Sequence, residues 1–136
     1  RGLGDVYKRQ ALLCHPTNSS QTNSLSFPKG GVELNEELVD AAIRECNEEV
    51  GIKISKDAIC KMHLVNYNKK NSKAISKQVF LFTVYINELE DIGLTSEIVP
   101  TTQLQLKEVD WAGFLTKKEA KGKIFWRFHK LLNELL

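Results

Sequence analysis

Apolar and polar residues follow one another along this chain in rhythms that change several times. Ala11 to Cys14 is a short apolar run closed by His15 and Pro16, the pattern of a strand end, and the Asn, Ser and Thr residues from Thr17 to Ser24 predict a polar loop. From Asn35, a residue type suited to an N-cap, a helix is expected to run to Val50 and to stop at Gly51. Val39, Ile43, Cys46 and Val50 recur at helical spacing and should face a core, while Glu36, Glu37 and Asp40 suit the positive end of the helix dipole. Ile59 to Asn66 and Gln78 to Ile86 read as two strands of a hairpin joined by a basic loop, Asn68 to Lys77. Leu104 to Trp111 is a further strand candidate. Thr116 and Glu119 have the spacing of a capping box for a terminal helix, with Ile124, Phe125, Phe128, Leu131, Leu132 and Leu135 as its apolar face and Gly122 weakening its first turns. Strand, helix, strands, strand, helix is the order of an α/β sandwich around a mixed β-sheet.

Composition narrows the class. A chain of 136 residues fits one domain, and 42% hydrophobic with 26% charged residues is the balance of a globular protein rather than a disordered or fibrous one. Cys14, Cys46 and Cys60 form no CxxC pair, so neither a disulfide framework nor a zinc ribbon is signalled and a reducing cytosol is the expected compartment. Cys46, on the apolar helix face, is expected to be a buried small hydrophobe. No apolar stretch approaches the roughly 20 residues that span a bilayer.

The formal net charge of +2 is too small to imply a nucleic-acid or membrane partner. All of it comes from residues 1–10, RGLGDVYKRQ, which read as a non-native leader standing where an N-terminal strand would be expected; residues 11–136 carry 16 basic and 16 acidic side chains.

On the predicted helix, Glu45, Glu48 and Glu49 sit at i, i+3 and i+4 and share one face. Like charges this close oppose one another's ionisation, and Arg44, four residues before Glu48, cannot balance three carboxylates. Taken alone the cluster is either a solvated acidic face or a site for a hard divalent cation.

The surrounding residues are more informative. Gly30 to Ile52, GGVELNEELVDAAIRECNEEVGI, resembles the signature of the Nudix hydrolases: Gly30, Glu36, Arg44, Glu45, Glu48, Glu49 and Gly51 fill its seven fixed positions, with Cys46 and Ile52 in its apolar slots. Seven such matches arise by chance at a given start roughly once in 10⁸ to 10⁹. Phe27-Pro28-Lys29-Gly30 is similar to the family's entry to the signature, and Glu108 to Leu115 to the strand ahead of its late helix.

The resemblance implies a Nudix-type α/β/α sandwich and a hydrolase that needs Mg²⁺ or Mn²⁺ and cleaves the pyrophosphate linkage of a nucleoside diphosphate derivative. It makes Glu45, Glu48 and Glu49 the side-chain metal ligands, joined by the backbone carbonyl of Lys29, and Glu48 the base, with Glu97 as the alternative from a later loop. Arg44 is expected to hold the glutamates in position, Glu36 to brace the start of the helix, and Gly30 and Gly51 to supply tight backbone. The Lys29 side chain is either a phosphate contact or a solvated lysine.

The leading substrate is a nucleoside triphosphate or related small nucleotide. A dinucleoside polyphosphate or an RNA 5′ end is the alternative, the latter being the only nucleic-acid partner expected; a non-catalytic nucleotide sensor is the reading from another class. Lys69, Lys70, Lys73 and Lys77 are expected to be a solvated loop, the lysines near the C-terminus a wet helix face, and Tyr67 and Trp111 packing residues.

Overall fold

A computed structural model describes residues 9–20 and 22–136. The predicted leader lies almost wholly outside the described residues. The elements are β1 (Gln10–Pro16), α1 (Leu38–Val50), β2 (Ile59–Asn68), β3 (Ile75–Val84), β4 (Val109–Thr116), α2 (Lys117–Ala120) and α3 (His129–Leu135), with short 3₁₀ turns between them.

β1 pairs antiparallel with β4, Leu13 opposite Gly113, and β2 pairs antiparallel with β3, Leu64 opposite Phe80. Isolated bridges extend β1–β4: Cys14 to Ser26 and Ile98 to Gly113 antiparallel, and Leu25 to Ile124 parallel. Alternation along β1 divides the interior in two. Leu13 enters a core with Phe27 and with Ile124, Phe128 and Leu132 from the C-terminal segment, whereas its neighbour Cys14 enters a second core with Val50 and Ile52 at the end of α1 and with Val99 and Ala112. The β1–β4 ladder thus lies between α1 and the C-terminal helical turns, which is the expected α/β layering.

Four predicted boundaries shift. The helix begins at Leu38 rather than after Asn35, because Asn35 adopts a left-handed backbone (φ 64°) and Glu36 remains in the preceding loop. Its end is as expected: Gly51 takes φ 70° and its N–H donates to the Asn47 carbonyl. The strand expected over Leu104 to Trp111 starts only at Val109, since the N–H groups of Glu108 and Val109 both turn back to the Gln105 carbonyl. The terminal helix is broken. Its Thr116–Glu119 capping box forms, but the chain leaves helical geometry after Ala120, takes φ 84° at Gly122 and resumes as α3. Ile124, Phe128, Leu131 and Leu132 are buried nonetheless, so the apolar pattern survives the interruption. The hairpin strands also reach further into the lysine-rich loop than expected, with Tyr67 opposite Lys77. No helix of the described residues is long and apolar enough to cross a membrane.

Candidate active site

α1 presents its signature residues in two neighbouring arrangements. The first is centred on Arg44. Its Nε donates to Glu36 Oε2 at 2.8 Å and its Nη2 donates both to Glu36 Oε1 at 2.9 Å and to the Gly31 carbonyl at 2.8 Å. This fork fixes the plane of the guanidinium. Nη1 then serves two carboxylates, Glu45 Oε1 at 2.9 Å and Glu48 Oε2 at 3.1 Å. The Glu36 side chain is 15% exposed, and Arg44 together with the Glu33 N–H holds its carboxyl down at about 2. The same partners raise the Arg44 pKa, leaving a permanently charged clamp.

The second arrangement surrounds Glu49. Its Oε2 accepts the Lys29 backbone N–H at 3.2 Å, and its own carbonyl accepts the Gln105 N–H at 2.9 Å. Burial raises the Glu49 carboxyl to about 7, the Lys29 hydrogen bond opposing the shift and the charges of Glu45 and Glu108 adding to it. Gly30 fits between the two arrangements: a Cβ there would overlap the Glu45 carboxylate. Gly51 closes the helix against Gln103, whose Nε2 donates to the carbonyls of Val50 and Gly51 at 3.4 Å each.

Lys29, Gly30 and Glu45 also line one wall of a cleft of about 1060 Å³ that continues along β3 to Lys77. Cys46, beside them, has its thiol pushed up to about 11, chiefly by burial and further by the charge of Glu49. A thiol so protonated is a packing group at neutral pH.

Oxygen donors from three carboxylates suit a hard divalent cation. Among the described residues, however, no three His, Cys, Asp or Glu side chains gather tightly enough to ligate one ion, because Glu45 and Glu48 are turned onto Arg44. The donor type suits such an ion although the side chains are not gathered around one point, and Glu49, half-buried and repelled by its acidic neighbours, is the carboxylate with most to gain from a cation.

The Glu97 carbonyl accepts the Phe114 N–H at 2.8 Å in the segment bridged to β4. A carboxylate from a later loop whose charge acts on Glu49 is Glu108. Sequence reasoning missed it, and the only available signal was its place just before β4. Trp111 and Tyr67 are both half-buried against the core formed by the C-terminal segment. His15 Nδ1 lies 2.7 Å from Asp110 Oδ1, and His63 Nε2 lies 2.8 Å from the Thr83 hydroxyl.

The family model described as NUDIX domain matches residues 6–127, which is most of the chain. The chain belongs to the NUDIX domain family. No curated protein matches this Nudix chain by sequence. Among solved structures it resembles one described as a crystal structure of a C. elegans Ap4A hydrolase binary complex, with 20% identity over 96% of this chain and 87% of that one and a TM-score of 0.59. At that identity the likeness establishes a shared Nudix fold.

Proposed function

We propose that this Nudix hydrolase holds Mg²⁺ or Mn²⁺ through Glu45, Glu48 and Glu49 and hydrolyses the pyrophosphate linkage of a nucleoside triphosphate or related small nucleotide. The observation that carries this reading is the signature helix itself, which sets Glu45, Glu48 and Glu49 at i, i+3 and i+4 with the half-buried Glu49 Oε2 held by the Lys29 N–H at 3.2 Å. A divalent cation bound there supplies charge neutralisation of the phosphates and a lowered pKa for an attacking water.

The chain's own residues have separable tasks. Arg44, fixed by Glu36, aims Glu45 and Glu48 from one nitrogen. Glu48, with a 54% exposed side chain, has the access to solvent that a base taking a proton from water requires, a role worth about 10² to 10⁴ in rate. The alternative base from a later loop is Glu97, while the charge of Glu108 adds to that of Glu45 at Glu49. The Lys29 backbone orients Glu49, its carbonyl is available as a further oxygen ligand, and its ammonium is available to a substrate phosphate at the cleft wall. Gly30 leaves room for Glu45.

A dinucleoside polyphosphate is the second substrate reading, favoured by the likeness to a structure described as an Ap4A hydrolase. An RNA 5′ end remains the third. We assign the catalytic domain to residues 11–136 and the protein to a reducing cytosol, in keeping with its three free cysteines.

The deciding experiment incubates purified protein and Mg²⁺ with a nucleoside triphosphate, a dinucleoside tetraphosphate and a 5′-triphosphorylated RNA, each beside Glu49→Gln. Cleavage that depends on Glu49 is expected. Nucleotide binding without cleavage of any substrate would instead identify a sensor.

A further inference from the structure

The lysine-rich end of the β2–β3 ladder and the turn before α3 meet in a surface that the carboxylate site does not use. Residues 66–78 contain Lys69, Lys70, Lys73 and Lys77, residues 120–131 contain Lys121, Lys123, Arg127 and Lys130, and neither segment has an Asp or Glu. They meet at Tyr67, whose ring lies 6.0 Å from that of Phe125 and 6.4 Å from that of the buried Phe128.

On this anchored ring the Arg127 guanidinium stacks at 4.8 Å, with the Trp126 ring at 4.2 Å from it. Arg127 Nη1 also donates to the Asn66 carbonyl at 3.5 Å, tying the stack to β2. Lys77, directly across the ladder from Tyr67, places its ammonium 5.4 Å from the same ring. Trp126 is 60% exposed, although the 3₁₀ turn that holds it buries Phe128 two residues later. The turn therefore spends its apolar anchor on Phe128 and leaves a large aromatic ring in solvent beside a guanidinium held between two aromatic groups.

We infer that this surface binds single-stranded nucleic acid, bases stacking on Trp126 and the phosphate backbone running over Arg127 and the hairpin lysines. Aromatic platforms accept any base by its π-face, and cations without nearby acidic residues in their own segments follow the backbone. A single strand fits better than a duplex, whose bases are already stacked and unavailable to Trp126. Lys77 joins this surface to the cleft containing Gly30 and Glu45, so a bound strand has one end directed toward the carboxylate site. Binding here is independent of the hydrolytic reading.

The test titrates the full chain, in a chelator so that hydrolysis is silent, into a fluorescein-labelled ten-nucleotide RNA with a 5′ hydroxyl, followed by anisotropy and by tryptophan quenching. Parallel titrations use the matching DNA strand, the RNA duplex and ATP. Both single strands should bind more tightly than duplex or ATP, with a log–log salt slope of about −3.5 for about five phosphate contacts. Trp126→Ala should weaken binding about tenfold, as expected for loss of one stacked base. Arg127→Gln should weaken it similarly, and Arg127→Lys by less, while hydrolysis of a small nucleotide stays at the wild-type rate in all three. No binding by either strand, equal affinity for duplex, or ATP binding as tightly as the strands would each overturn the inference. So would unchanged strand affinity in the Trp126→Ala, Arg127→Gln double variant.

Discussion

Glu36 and Glu49 belong to one signature and are the same residue type, yet their surroundings drive them in opposite directions, to about 2 and about 7. Glu36 meets the fork of Arg44 and a backbone N–H; Glu49 meets burial, one backbone N–H and the fields of Glu45 and Glu108. One carboxylate is satisfied by the chain itself and the other is left short of positive charge. The difference separates a brace from a group awaiting a ligand, and it does so within one helix and its leading loop.

The largest expected effect comes from the unsatisfied member. Glu49→Gln should lower kcat/KM about 10³-fold, equivalent to the several kcal/mol of charge stabilisation that a metal supplies, with far-UV circular dichroism unchanged. Steady-state kinetics on the cleaved nucleotide measures it. Next, Gly30→Ala must displace Glu45, and Glu36→Gln frees one arm of Arg44. Each should cost about 10- to 100-fold in activity, the range for groups that orient a metal's ligands. Thermal melts distinguish the two, since only Glu36→Gln loses a charged fork and should lower Tm.

Legibility from sequence followed the same division. The signature was readable because its spacing places Glu45, Glu48 and Glu49 on one helical face, and the structure keeps them there. The clamp was only partly readable: Arg44 was expected to position the glutamates, but its fork with Glu36 depends on Asn35 turning left-handed and ending the loop later than propensity suggests. Glu108 was hidden because Leu104 and Leu106 mimic strand alternation; a turn closed on the Gln105 carbonyl moves the real strand to Val109. In the C-terminal segment the apolar positions were right and the helix was not continuous, since burial of Ile124 and Phe128 tolerates the break at Gly122.

A smaller effect should appear in the pH dependence of the metal-free protein. Glu49 binds its proton more tightly folded than unfolded, so its contribution to stability is fully present below the ordinary value of 4.5 and is lost as pH rises from there to about 7. Glu36 has the opposite sign: its contribution is present above 4.5 and is lost as pH falls toward 2. Melts in a chelator from about pH 2 to about pH 8, on the order of one unit apart, should therefore show Glu49→Gln gaining on wild type toward neutrality. Glu36→Gln should lose its deficit toward acid. Identical profiles for the two variants would erase the comparison.

The smallest effect is expected from Glu108→Gln. Removing a distant charge should lower the Glu49 titration, read by carboxyl ¹³C NMR, and change the rate at pH 7 by about twofold. A loss approaching that of Glu49→Gln would promote Glu108 from a neighbouring charge to a participant in the chemistry.

Electron paramagnetic resonance of Mn²⁺ titrated into the purified protein tests the central claim most directly. Wild type should bind the ion with an affinity that Glu49→Gln reduces at least tenfold and Glu97→Gln leaves unchanged, in line with direct ligation by Glu49. Binding that is equally strong in wild type and Glu49→Gln would contradict the account.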